Sequence, residues 1–295
     1  MYPARFDYVD PVTVAEALAC LAERPDDDVK VLAGGQSLIP LLKLRFARPD
    51  LLVDINRVDE LKGVREDGGG GLRIGALVRE SELEADPAVG RWFPILRDAS
   101  RVIADPVVRN LATVGGNLAH GDPANDHPAV MVALDASVVV RGQEGERVVG
   151  AADFFQGLFE TALEPGELLT EIRVPAPPPG TGAAYRKFER QAGDYAIAAV
   201  AARVTLDGDG AVTDARLVYT GVGERPQRAE AAEQGLLGQP VTPRTARTAG
   251  EAAAGSLRFD DDLRGPAAYK ARVAATVTGR ALRLASDRAT GAGGP

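Results

Sequence analysis

The stretch VLAGGQSLIPLLKLRFARPDLLVDI occupies residues 31–55 and decides the fold that we predict for the start of the chain. Residues 29–33 are apolar and predict a short strand that ends at a pair of glycines. A helix is predicted over 38–46, with Ser37 as its N-cap. A second strand is predicted at 51–55. A strand, a helix and a strand in so few residues indicate a small right-handed crossover between parallel strands.

The sequence on either side of this unit predicts further short elements. Thr13 and Glu16 form a capping box that predicts an opening helix. Beyond the unit, residues 58–176 alternate between strand and helix patterns, which indicates a mixed segment. The elements predicted there are a capping box at Ser81 and Glu84, helices over 91–103 and 128–134, and strands at 72–76, 137–141 and 168–174.

A proline-rich linker, PAPPPGTG at residues 175–182, separates this segment from the rest of the chain. We therefore predict three divisions, at 1–57, 58–176 and 183–289. The last of them indicates an antiparallel sheet that carries a helical layer, so the fold class is α+β. Its predicted elements are strands at 183–190, 196–206 and 211–220 and helices over 227–237, 243–254 and 266–284.

Composition excludes several classes of function. The chain has 295 residues with 42 acidic and 34 basic side chains, and its net charge of -8 repels phosphate backbones, so no nucleic-acid partner is expected. No run approaches the roughly 20 apolar residues of a membrane span. The first residues have neither the apolar core nor the cleavage site of a signal peptide. We expect a cytoplasmic protein without a membrane span.

The chain offers little material for metal centres. Its single cysteine, Cys20, cannot form an internal disulfide or supply the four thiolates of an iron-sulfur cluster, so any cluster must lie on another chain. Cys20 fits core packing in the opening helix. His120 and His127, with Asp122 and a second aspartate nearby, could be read as a metal site. Surface histidines in a loop are the alternative, and we expect no metal.

A first glycine bend follows the strand predicted at 29–33. Its paired glycines permit positive backbone angles and close approach, and the start of the next helix presents free N–H groups, so the bend could cradle a pyrophosphate. It matches neither the G-x-G-x-x-G fingerprint nor a phosphate loop with a lysine. An ordinary tight turn is the alternative. We define the first bend as Ala33, Gly34, Gly35, Gln36, Ser37 and Leu38.

A second glycine bend lies about 80 residues later and is followed by two aspartates, Asp122 and Asp126. A carboxylate such as that of Asp126 can accept hydrogen bonds from ribose or ribityl hydroxyls. Phosphate at one bend and sugar hydroxyls nearby describe a dinucleotide-shaped ligand, and we expect the main-chain amides of both bends to grip one diphosphate. For the two aspartates the alternative is a helix cap and a turn former. We define the second bend as Thr113, Val114, Gly115, Gly116, Asn117 and Leu118.

Three stretches of the sequence together resemble the FAD-binding subunit or domain of the xanthine dehydrogenase and carbon monoxide dehydrogenase family. Residues 31–55 look like the first FAD loop of that family. The stretch TVGGNLAHGDPANDHPAVMVALDA at 113–136 looks like the second, and YRKFERQAGDYA at 185–196 matches a later segment. The resemblance implies an FAD-binding domain of two subdomains, followed by a C-terminal domain of antiparallel sheet and helices, and not a Rossmann fold.

The resemblance also implies which residues contact FAD. The bends would hold the diphosphate and neighbouring groups, Asp126 the cofactor's hydroxyls, and Leu169 and Lys187 the flavin or adenine end. Lys187 near the flavin's pyrimidine edge would favour the anionic reduced form, and its alternative is a solvated strand lysine. Tyr195 could cover the isoalloxazine. The predicted cofactor-binding set is Ala33, Gly34, Gly35, Gln36, Ser37, Leu38, Ile103, Thr113, Gly115, Gly116, Asn117, Asp122, Asp126, Leu169, Lys187 and Tyr195.

The implied function is electron transfer within a multi-subunit molybdenum hydroxylase. A small subunit would carry iron-sulfur clusters and a large subunit the molybdenum cofactor, while this flavoprotein chain passes electrons to an external acceptor. No residue of this chain is nominated as catalytic. Two alternatives stay open: a freestanding FAD-dependent oxidase or dehydrogenase, and a scaffold subunit that has lost FAD. The sequence leaves the substrate and the acceptor open.

Overall fold

The start of the chain forms a three-stranded parallel sheet in the computed structural model, which describes residues 2–24 and 28–291. Both outer strands run parallel to the central one, so the predicted crossover between parallel strands is confirmed. The edge strand β1 was not predicted. The elements are β1 (Asp7–Val9), α1 (Val14–Ala22), β2 (Val29–Leu32), α2 (Leu38–Leu44) and β3 (Leu51–Asp54), in the sheet order β1-β3-β2.

Of the three predicted N-caps, Thr13 is confirmed, Ser37 has the N-cap position without the hydrogen bond, and Ser81 is displaced. The Thr13 hydroxyl accepts a hydrogen bond from the Glu16 amide at 3.1 Å, as expected. Ser37 makes no capping hydrogen bond, because its own backbone is already helical at φ -96° and ψ -46°. The capping box predicted at Ser81 is also displaced: α3 begins at Glu80 after the N-cap Arg79.

The second unit is built on a five-stranded antiparallel sheet in the order β4-β5-β10-β6-β7. The helix predicted over 91–103 is two helices, because Pro94 lacks the amide that would continue the first one and instead begins the second. The strands are β4 (Val64–Glu66), β5 (Leu72–Gly75), β6 (Ser137–Gly142), β7 (Gly145–Gly150) and β10 (Leu168–Val174), with β8 (Phe155–Gly157) and β9 (Glu160–Thr161) as a separate hairpin. The helices are α3 (Glu80–Ala85), α4 (Pro87–Trp92), α5 (Pro94–Val102), α6 (Pro106–Arg109), α7 (Val114–His120), α8 (His127–Ala133) and α9 (Ala151–Phe154), and a 3-10 turn spans Asp59–Leu61.

The third unit is a four-stranded antiparallel sheet in the order β11-β12-β13-β14, with a helical layer as predicted. The helix predicted over 227–237 starts late, because its first two residues form the edge strand β14. The elements are β11 (Thr181–Phe188), β12 (Ala198–Leu206), β13 (Val212–Thr220), β14 (Gln227–Arg228), α10 (Glu230–Leu236), α11 (Pro243–Ser256) and α12 (Ala267–Ala289). The α+β class is therefore confirmed.

The C-terminal sheet is covered on both faces. Along β12, Ala199 and Ala201 pack into the core of the second unit, whereas Val200 and Ala202 pack against the C-terminal helices. The Thr220 hydroxyl of β13 also contacts the carbonyl oxygens of Pro123 and Asn125, at 2.6 and 2.7 Å. The third sheet thus fixes the loop after the second bend. We propose that the three predicted divisions correspond to the three sheets.

Among the described residues, no helix combines the length and the apolarity that crossing a membrane requires.

Candidate cofactor site

The two glycine bends lie against each other in the structure. A Cβ atom placed on Gly34 would collide with the carbonyl oxygen of Leu111 and would stand 2.7 Å from the Cα atom of Ala112. Gly35 has a positive φ of 74°, which favours glycine. The paired glycines therefore allow the first bend to lie directly on the backbone that leads into the second.

A cleft of about 340 Å³ opens where the bends meet. The whole first bend lines it, together with Leu169 and, from the second bend, Thr113, Gly115, Gly116 and Asn117. A wider groove of about 1000 Å³ adjoins the cleft and lies between β2 and the β6–β7 hairpin. Residues 30 and 31 line both the cleft and the groove, so the two spaces adjoin there.

The first bend presents unpaired main-chain amides. The Gln36 side chain donates to the Gly34 carbonyl at 3.0 Å and holds the bend in shape. Successive backbone N–H groups that point into one concavity form an anion-binding site. Within the described part of the chain, four amides of the bend have no hydrogen-bond acceptor, those of Gly35, Gln36, Ser37 and Leu38.

The second bend differs, because the amides of Val114 and of both glycines are already used. The amides of Val114 and Gly115 donate to the carbonyl oxygens of Val78 and Ala76, at 2.9 and 3.0 Å. The Gly116 amide donates to the Thr113 hydroxyl at 3.2 Å. These three amides therefore brace the cleft, and the expectation that both bends grip a diphosphate through their amides stays a prediction for the second bend.

The second bend contributes a side chain to the cleft. The Oδ1 atom of Asn117 is buried and has no hydrogen-bond partner among the described residues. The Asn125 side chain donates to the Asn117 carbonyl at 2.9 Å and also lines the cleft. An unpaired buried acceptor is costly unless a donor reaches it, so this arrangement fits a ligand that carries hydroxyl groups. We had not predicted Asn125, although it lies between the two aspartates that we singled out.

Asp126 and Lys187 lie outside the lining of the cleft, in a buried cluster. The Lys187 ammonium lies 3.2 Å from the Asp126 carboxylate, and the two side chains are 2% and 6% exposed. The Tyr185 hydroxyl donates to the other oxygen of Asp126 at 2.6 Å, and Lys187 also donates to the Val102 carbonyl at 2.9 Å. Burial raises the pKa of Asp126, and Lys187 and Tyr185 offset only part of that rise. Lys187 is therefore not a solvated strand lysine.

Three further predicted residues also lie outside the lining of the cleft. The Asp122 carboxylate accepts from the Ala124 amide at 2.8 Å, as a turn former does. Ile103 is buried at the end of α5. Tyr195 is 39% exposed, and the Arg264 guanidinium lies 5.0 Å from the centre of its ring. Their contacts with the cofactor stay predictions, as do those of Asp126 and Lys187.

The two histidines occupy different environments. His120 lines the cleft, and burial lowers its pKa, which keeps the imidazole neutral at neutral pH. His127 is fully buried, with its Nε2 atom 2.7 Å from a carboxylate oxygen of Glu80, so the surface position expected for it is wrong. No cluster of three or more potential metal ligands occurs in the part of the chain that the structure describes.

Two family models together match most of the chain. Residues 4–177 match a family model described as the FAD binding domain in molybdopterin dehydrogenase, and residues 183–285 match the CO dehydrogenase flavoprotein C-terminal domain. The chain belongs to the family of FAD-binding subunits of molybdenum hydroxylases. The resemblance that we drew from the sequence is confirmed, and so is FAD as the cofactor. The family members are components of oxidoreductase complexes.

Individual relatives of this flavoprotein family match over nearly the whole chain. The carbon monoxide dehydrogenase medium chain of Hydrogenophaga pseudoflava is 44% identical over 98% of this chain and 99% of its own length. The 6-hydroxypseudooxynicotine dehydrogenase complex subunit alpha of Paenarthrobacter nicotinovorans is 41% identical over 98% and 97%. A solved carbon monoxide dehydrogenase from H. pseudoflava, which lacks the Mo-pyranopterin moiety of its cofactor, superposes with a TM-score of 0.93 at 45% identity, covering 98% of this chain and 99% of that one.

Proposed function

We propose that this chain binds FAD in the cleft between the two bends and serves as the electron outlet of a heteromeric molybdenum hydroxylase. Electrons would arrive from iron-sulfur clusters on a small partner subunit, after substrate oxidation on a large molybdenum-binding subunit, and leave to an external acceptor. The observation that carries the proposal is the contact of the Gly34 backbone with Ala112, which brings four unpaired amides of the first bend to the cleft.

Different donors and acceptors of the cleft would bind different parts of the cofactor. The free amides of the first bend would hold the diphosphate, because main-chain N–H groups and a dianion are complementary. The unpaired Oδ1 atom of Asn117 would accept from a sugar or ribityl hydroxyl, and Leu169 would supply apolar contact. Bound flavin supplies a centre that stores two electrons, while the protein orients it and tunes its potential.

The iron-sulfur clusters and the molybdenum site must lie on other chains in this proposal. The chain has a single cysteine, Cys20, whereas each cluster requires about four thiolates. This favours the electron-transfer role over a freestanding oxidase. The relatives at 44% and 41% identity carry different substrates in their names, so similarity at this level does not select a substrate. Cytoplasm is the proposed compartment, which cell fractionation would test.

Substitution of Gly34 by alanine tests the proposed cleft. A methyl group on Gly34 would collide with the Leu111 carbonyl and separate the bends, so we expect the purified variant to lose bound FAD, measured as visible flavin absorbance per chain. Gly235→Ala is the matched control, since a Cβ atom there meets nothing within 4 Å. Full FAD occupancy in a folded Gly34→Ala protein would contradict the site.

Co-purification tests the partners. The tagged chain, expressed with a cysteine-rich small subunit and a large subunit of the same family, should recover both in a defined ratio. Oxidation of an organic substrate by the FAD-loaded chain alone would instead support the freestanding oxidase.

A further inference from the structure

A short hairpin beside the cleft ends in two exposed apolar side chains. Strands β8 and β9 are joined by a tight turn that contains Leu158 and Phe159. Their exposed fractions are 55% and 54%, although both side chains are large and apolar. The two side chains therefore stand together at one tip of the surface.

The backbone of Phe159 is held in an unfavourable conformation. Its φ of +56° lies in the left-handed region, which bulky residues rarely adopt. Such strain persists only where the surroundings enforce it, and it concentrates at functional positions. The Phe159 amide donates to the carbonyl of Gly121 at 3.1 Å, so the tip is fastened to the end of α7.

The Phe159 ring contacts the cleft through His120. The two ring centres are 5.2 Å apart and the planes are inclined by 50°, which is a favourable aromatic arrangement. His120 is the last residue of α7 and lines the cleft, whereas Thr113 caps the start of the same helix. One short helix therefore joins the second bend to the hairpin tip. Because burial keeps His120 neutral, its ring is suited to contact an uncharged aromatic system.

We propose that Phe159 is a positioning residue that holds the His120 ring against a planar ring of the bound cofactor, either the adenine or the isoalloxazine. The strained hairpin tip is thus part of the cofactor site, where it positions His120. This inference rests on the proposed assignment of FAD to the cleft. It adds His120 as a contact residue and Phe159 as its support, outside the two bends.

The substitution Phe159→Gly separates this role from a merely structural one. A structural role predicts a lower melting temperature, whereas the positioning role predicts weaker FAD binding without that loss. Glycine adopts a positive φ without strain, and the lost ring is half exposed, so the melting temperature should stay the same or rise. The dissociation constant for FAD should nevertheless increase about three- to tenfold, the range expected for one aromatic contact. Phe159→Tyr should restore the affinity, and Leu158→Ala, which alters the neighbouring exposed side chain, should leave it unchanged.

A double-variant cycle tests whether Phe159 acts through His120. His120→Ala should weaken FAD binding, and adding Phe159→Gly should weaken it no further, because the ring then has nothing to position. Binding of ADP and of FMN to the FAD-free parent and to the FAD-free Phe159→Gly variant identifies the cofactor ring. If the variant binds only ADP more weakly than the parent, the ring is adenine. If it binds only FMN more weakly, the ring is isoalloxazine.

Three outcomes would overturn the inference. If Phe159→Gly binds FAD as tightly as the parent while Gly34→Ala does not bind it, the cleft stands and the role of Phe159 falls. If Phe159→Gly keeps its FAD affinity but no longer recovers the partner subunits, the tip is a docking surface for another chain. Normal FAD binding by Gly34→Ala as well would refute the cleft itself.

Discussion

Replacement of Lys187 by methionine should strongly destabilise the protein. Methionine keeps the length of the side chain but removes the ammonium that lies 3.2 Å from both the Asp126 and the Glu189 carboxylates. Lys187 and Asp126 are 2% and 6% exposed, so the Asp126 carboxylate has little access to water once the ammonium is gone, whereas Glu189 is 20% exposed. Breaking a buried ion pair by removing one partner costs about 3–5 kcal/mol, and we expect a loss in the free energy of unfolding of that size at neutral pH.

The loss should shrink as the pH falls. Burial already raises the pKa of Asp126, and Lys187 lowers it in the parent protein, so the variant has a still higher folded-state pKa. A group whose folded pKa is raised contributes stability below its unfolded pKa and loses that contribution as the pH rises through the folded pKa. The variant should therefore be closest to the parent under mildly acidic conditions, where Asp126 is protonated and uncharged.

Urea unfolding followed by circular dichroism measures the effect. The double variant Lys187→Met/Asp126→Asn is the control, because it removes the ammonium together with the more buried of its two carboxylate partners, leaves only the more exposed Glu189, and should recover part of the lost stability. Flavin content in the same proteins tests the predicted contacts of these residues with FAD. A loss below about 1 kcal/mol at neutral pH, or one that grows on acidification, would refute the reasoning.

Two further substitutions test other buried contacts. Thr220→Val removes the hydroxyl whose single hydrogen is shared between the carbonyls of Pro123 and Asn125 and should cost about 1–3 kcal/mol, measured by thermal unfolding; an unchanged midpoint would contradict the importance of this junction. Burial opposes the charge on His127, but the Glu80 and Asp126 carboxylates together outweigh it and raise the pKa of His127. Its contribution to stability should thus be lost as the pH rises through that raised pKa, and the double variant Glu80→Gln/His127→Gln should lack this part of the pH dependence.

Local chemistry made much of the fold predictable. The crossover at the start of the chain depends on apolar runs, a glycine pair and a helical spacing that all lie within residues 29–55. The Thr13 cap depends on a residue three positions away. Ser37 fitted the same pattern and has the N-cap position, but it makes no capping hydrogen bond, because the bend that precedes α2 already holds it in a helical conformation.

Contacts between distant segments were not predictable from local patterns. The amides of the second bend are used by Ala76 and Val78, which lie on a different segment of the chain. Lys187 is buried because the end of α5 packs over β11 and presents the Val102 carbonyl to it. Neither the types of residue nor their spacing in the sequence predicts such an arrangement. The glycine pairs identified the cleft, and only the tertiary structure showed which of the two bends keeps free donors.

Because β12 is buried on both faces, the parts of the chain on either side of the proline linker depend on each other. Its alanines form two flat surfaces, one complementary to the second unit and the other to the C-terminal helices. A chain cut at the proline linker would leave hydrophobic surface uncovered on both fragments. The two parts joined by the linker are therefore constrained to change together.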